Sequence, residues 1–186
     1  MKADFVGELD VSSIESSRLG RWARWAGSTD GGRYARGTLE LPLVPPEGLA
    51  EAAEEAEYWR GVGFGLAHRG QPEQVSGILE VHGWAETGGW LVEGMGMARC
   101  YIPPAQSAAF HEAALELPSR SERFAYGLGR ASFYCGLTDE DIALVGPGAE
   151  ASLAAGKREA WPKDYASAGA VTGSTTGEWP QGFTVY

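Results

Sequence analysis

The sequence predicts an all-α protein built as a stack of helical hairpins, and three observations carry that prediction. A Gly-x-Gly motif occurs at Gly61-Val62-Gly63, Gly94-Met95-Gly96 and Gly127-Leu128-Gly129, with the first glycines 33 residues apart both times. Recurrence at that length marks stacked supersecondary units. Each motif lies among apolar residues at helical spacing, and each is followed by a second helix with its own start and stop signals. The chain divides accordingly into an N-terminal helix and strap (1–46), a domain of three units (47–160) and a Gly/Ser/Thr-rich tail (161–186). At 186 residues with 44% hydrophobic content it can bury a core without metals or a disulfide framework.

Residues 11–26 read as the first helix. Ser12 and Glu15 make a capping-box pattern, Leu19, Trp22 and Ala26 recur at helical spacing, and Gly27 ends it. Arg18, Arg21, Arg24, Arg33 and Arg36 are interleaved here with Trp22, Trp25 and Tyr34. Basic and aromatic residues together suit an anion or nucleic acid. The chain also carries a complementary acidic run, Glu47, Glu51, Glu54, Glu55 and Glu57, so the expectation is an arm that packs its tryptophans on the body and pairs its arginines internally. Ser28 to Gly32 reads as a loop, and Gly37 to Val44, closed by Pro45-Pro46, as an extended strap across the helices.

The chain turns helical again from Glu47, and the three units follow. In unit one the second helix starts at Pro72, carries Val75, Ile78 and Leu79, and stops at Gly83. In unit two it opens at Pro104, presents Phe110, Ala113, Ala114 and Leu117, and ends at Pro118. In unit three Thr138 and Asp141 form the cap, Ile142 and Val145 follow, and Gly146-Pro147-Gly148 breaks the helix. Residues 149–160 read as a closing helix. The tail holds Trp179, Phe183 and Tyr186 as anchors, which predicts that it lies extended against the body or a neighbouring subunit and offers a route to a homo-oligomer.

With 25 acidic and 15 basic residues the net charge is −10, which argues against general affinity for nucleic acid or an anionic membrane. No apolar run is long enough to span a bilayer, and the start of the chain lacks the pattern of a signal peptide. Cys100 and Cys135 make no disulfide framework and no metal-ligand spacing, so reduced thiols in a cytoplasmic setting are expected. His68, His82 and His111 show no metal-binding spacing and no G-x-S-x-G elbow is present. No cofactor is expected.

Glycine inside a helix costs about 0.5–1 kcal/mol relative to alanine, so these motifs need a compensating gain. A phosphate loop is one reading, but no copy completes G-x-G-x-x-G and no β-rich run precedes any of them. Close helix packing is the other. Gly61 with Gly65, Gly94 with Ala98, and Gly127 with Ala131 stand four apart and share a face, which lets a neighbouring backbone approach.

The units resemble tetratricopeptide-type helical hairpins. Met95-Gly96, Tyr101 and Phe110-His111-Glu112-Ala113-Ala114-Leu115-Glu116-Leu117-Pro118 carry the likeness best. The phrases Trp59-Arg60-Gly61-Val62-Gly63-Phe64-Gly65-Leu66-Ala67, Glu93-Gly94-Met95-Gly96-Met97-Ala98 and Tyr126-Gly127-Leu128-Gly129-Arg130-Ala131-Ser132-Phe133 are also similar to a family of unknown function encoded in bacterial enediyne biosynthetic clusters. That likeness implies an accessory role in secondary metabolism and supplies no catalytic residues. The tetratricopeptide register implies a groove lined by Arg60, Phe64 and His68; by Trp90, Glu93, Met97 and Tyr101; and by Arg123, Tyr126, Arg130, Phe133 and Tyr134. Arginines among rigid aromatics suit an acidic or aromatic peptide, a partner protein or a small ligand. The competing arrangement has the aromatics filling the core and the arginines paired with Glu57 and Glu93. The functional expectation is therefore a binding or scaffold protein. The alternative is a small accessory enzyme using His68, Glu93 and the tyrosines.

Overall fold

In the computed structural model every regular element among the described residues is a helix, in agreement with the sequence patterns. The structure describes residues 11–49, 52–83, 86–114, 119–132 and 135–158. The helices are α1 (Val11–Ala35), α2 (Ala52–Arg69), α3 (Gln74–His82), α4 (Glu86–Met97), α5 (Pro104–Ala113), α6 (Arg120–Ala131) and α7 (Asp139–Val145). Residues 150–158 form α8, within the expected closing helix. The tail from 161 and the side chains of the Ser12–Glu15 cap lie outside the described residues.

Helices α1, α2, α4, α6 and α8 stand side by side in a row, and the glycines set their contacts. Gly61 abuts the Arg24 carbonyl of α1, Gly94 the Arg60 carbonyl of α2, and Gly127 the Glu93 carbonyl of α4. The second glycine of each motif faces the other way: Gly63 meets Leu91, Gly96 meets Phe124, and Gly129 meets Leu153 of α8. Residues two apart on a helix point to nearly opposite sides, so Gly-x-Gly admits a neighbouring backbone on both flanks at one level. This extends the expected four-residue pairing, which holds for Gly61 and Gly65 against α1.

Facing the same flank, Tyr58, Leu91 and Phe124, then Val62, Met95 and Leu128, recur at the 33-residue offset and are fully buried. The short helices cover this face through Val75, Ile78 and Leu79 of α3, Phe110 of α5 and Val145 of α7. Their ends follow the sequence signals. Pro104 occupies the first turn of α5, Gly83 and Gly146 follow α3 and α7, and Thr138 with Asp141 closes a complete capping box.

Four expectations are corrected. α1 does not end at Gly27 but runs to Ala35, because Gly27 and Gly31 lie against the backbone at Tyr58 and Val62, and the predicted loop at 28–32 is helix. Trp22 and Trp25, expected against the body, are 44% and 51% exposed. Ile142 is exposed, leaving Val145 to anchor α7. α2 begins at Ala52, after a turn, rather than at Glu47. The strap forms no strand, yet it crosses the helices as expected: Leu43 is buried, and its N–H donates to His82 Nε2 at 3.0 Å.

Candidate functional site

The helical repeat angle puts Glu57, Arg60, Phe64 and His68 on the stripe of α2 opposite Tyr58, Val62 and Leu66. The matching stripe holds Trp90, Glu93, Met97 and Tyr101 on and after α4, and Arg123, Tyr126 and Arg130 on α6. Phe133 and Tyr134 lie outside the described residues. Arg24 of α1 sits 33 residues before Glu57 and occupies the corresponding place.

These stripes meet in one ion-pair network. Glu57 accepts from Arg24 Nε at 2.7 Å, from Arg60 Nη1 at 2.9 Å and from Arg130 Nη1 at 2.9 Å. Glu93 accepts from Arg60 Nε at 2.6 Å and from Arg123 Nη1 at 2.5 Å. The Arg60 guanidinium also lies 5.7 Å from the centroid of the Tyr126 ring, a cation–π contact. The Arg130 and Glu93 side chains are 2% and 3% exposed, whereas that of Arg123 is 41% exposed. Arg123 lies across Gly89, where an added methyl would meet its Nε at 3.0 Å.

Such a network is retained only if its charges satisfy one another, since removing one member leaves a buried charge uncompensated. Burial alone would raise the Glu57 pKa, but Arg24, Arg130 and Arg60 together hold it down to about 2. Glu57 is therefore an anion at any physiological pH. Glu93, gripped by two guanidinium groups, is placed to orient them.

The other predicted site residues form a separate group. The Phe64 and Tyr101 rings are 5.4 Å apart, His68 and Tyr101 5.9 Å, and Phe64 and His68 6.1 Å, with Tyr101 exposed. Burial, and then Arg69, push the His68 pKa below the ordinary histidine range, so the ring is neutral at neutral pH. Trp90 is half-buried against the core. Among the described contacts His68 and Glu93, grouped in the enzyme alternative, lie in different clusters: His68 is engaged by aromatic rings and Glu93 by arginines.

The cysteines require a correction. Cys100 and Cys135 are joined in a disulfide, with Cα atoms 5.6 Å apart, and are not reduced thiols. Their separation of 35 residues is close to the unit length, so they stand at neighbouring helix ends after α4 and α6. Cys100 is flanked by Arg99, which pairs with Asp141 of α7, and by Tyr101. Three consecutive residues thus tie the end of α4 to α7, α6 and α2. Among the described residues no group of His, Cys, Asp and Glu side chains could hold a metal ion, and no helix is long and apolar enough to cross a membrane.

No protein-family model matches the chain, and no curated protein or solved structure matches it significantly. The site therefore stands on its geometry. Two network members, Glu57 and Arg24, were absent from the groove inferred from sequence. The signal was present: each lies one 33-residue step before the residue that follows it in the series Arg24, Glu57, Trp90, Arg123. Assigning Arg24 to a separate N-terminal segment left it out of the groove register.

Proposed function

We propose that the protein is a binding module whose ligand presents a carboxylate beside an aromatic or apolar group, engaged at the Arg123 edge of the network. One observation carries the reading. Arg123 is 41% exposed although one of its amino groups is committed to Glu93, and that carboxylate is shared with the far more buried Arg60. An anchored guanidinium with further N–H groups open to solvent is preorganised for a bidentate acceptor. Tyr126 and Trp90 supply aromatic surface on the same stripe. The likeness to the enediyne-cluster family extends this to an accessory role in secondary metabolism, with a biosynthetic intermediate or a partner segment as ligand. The disulfide favours an oxidising setting over the cytoplasm expected from composition.

The test is a thermal-shift series with phenylsuccinate, benzoate and acetate on the wild type and on Arg123→Ala. Stabilisation should follow that order and vanish in the variant. A shift retained in full by Arg123→Ala would show that the carboxylate binds elsewhere.

A further inference from the structure

A second polar cluster lies where α5 meets the start of α6, on residues that the arginine network does not use. His111 of α5 is 3% exposed, and its Nε2 stands 3.3 Å from Oγ of Ser121, the second residue of α6. Its Nδ1 is buried without a hydrogen-bond partner among the described residues, and Glu112 Oε1 lies 3.9 Å away. Burial, and then the Arg120 guanidinium, lower the His111 pKa against the opposing effect of Glu112, so the ring is neutral at neutral pH. With Ser121 O–H donating to Nε2, the ring proton resides on Nδ1, facing Glu112. The start of α6 is also unusual. Its N-cap, Ser119, adopts a left-handed conformation at φ 58° and makes no side-chain cap. Strain of this kind gathers at functional sites, and the first N–H groups of an uncapped helix have no partner within it.

We propose that Ser121 and His111 form a nucleophile–base pair that accepts an acyl group from an activated ester or thioester. Ser121 Oγ bonds to the carbonyl carbon while its proton passes to His111 Nε2, and the first-turn N–H groups of α6 receive the oxyanion. The adduct collapses by breaking the bond from the acyl carbon to the leaving group. Nε2 gives its proton to the departing alkoxide or thiolate, which leaves acyl-Ser121. Water completes the cycle: it loses a proton to Nε2, attacks the acyl carbon and displaces Ser121 Oγ, which regains that proton as the carboxylic acid departs. Glu112 is the positioning residue for Nδ1, since separations of this size tighten into hydrogen bonds when a substrate is bound.

The experiment treats the full chain with a fluorophosphonate probe, which loses fluoride on forming a phosphonyl–serine bond, and reads the product by intact mass and peptide mapping. One adduct is expected, at Ser121, absent from a Ser121→Ala variant that melts with the wild type. His111→Gln should slow labelling at least tenfold. Because that buried position bears on folding, the wild-type rate is also followed against pH: it should rise through a midpoint below 6.5, the ordinary histidine value, and then level off. Glu112→Gln should alter that midpoint without changing the melting temperature. An unlabelled folded wild type, an adduct at another residue, or a rate independent of pH from about 5 to 8 would each overturn the assignment.

Discussion

Replacing Gly94 by alanine tests whether the glycines set the spacing of the helix row. A methyl carbon built there would stand 1.9 Å from the Arg60 carbonyl oxygen, against about 3.4 Å for ordinary contact, so α2 and α4 must part by about 1.5 Å. The obstacle is backbone and cannot rotate away. Overpacking of this kind costs about 1–3 kcal/mol, while helix propensity returns about 1 kcal/mol. Parting the helices also stretches the 2.6 Å Arg60–Glu93 bond. The net loss is about 1 kcal/mol, a fall in Tm of roughly 2–4 °C for a chain of this size. Gly20→Ala is the control. Among the described residues its methyl would meet only Glu57 Cγ at 3.6 Å, so propensity dominates and the variant should gain about 0.5–1 kcal/mol. Urea unfolding of both variants reads the two signs. A Gly94→Ala protein as stable as the wild type, or stabilised like Gly20→Ala, would refute the packing argument.

Three further perturbations have defined outcomes. Glu57 has a folded pKa near 2 against 4.5 when unperturbed, so its contribution is intact above pH 4.5 and is lost as pH falls from there toward 2. The loss is on the order of 3 kcal/mol, and acid unfolding of Glu57→Gln should lack that part of the slope. Reducing the Cys100–Cys135 disulfide, which closes a 35-residue separation, should cost about 3–4 kcal/mol. Calorimetry with and without reductant reads this, the Cys100→Ser/Cys135→Ser double variant should match the reduced protein, and an unchanged Tm would contradict it. Thr138→Ala removes the acceptor of the Asp141 N–H and should destabilise by about 1 kcal/mol in denaturant titration; a change under 0.3 kcal/mol would show that α7 does not depend on its cap.

Local signals that state their own chemistry were legible in the sequence. Thr138 with Asp141, Pro104 and Gly83 each satisfy or remove particular backbone groups, and they bound helices where expected. Gly27 and Gly31 misled because a glycine that ends a helix and one that admits a neighbouring backbone look alike in sequence; only the presence of α2 decides between them. The groove failed for a related reason. Arg60, Glu93, Arg123, Tyr126 and Arg130 do converge, but the choice between an open arginine surface and an internally paired one depended on how Glu57 is shared, and one of its partners, Arg24, comes from α1, outside the register used. The disulfide depended on the mutual placement of two helix ends, which two cysteines alone do not specify.

In the proposed binding mode the exposed Arg123 guanidinium, anchored by the Glu93 carboxylate it shares with Arg60, receives the ligand. The most direct measurement follows the arginine Nε–Hε resonances during titration with phenylsuccinate. The Arg123 signal should move and saturate while that of Arg60, gripped by Glu57 and Glu93, stays in place. Saturable movement of the Arg60 signal with Arg123 unchanged, or no saturable movement of either, would contradict it.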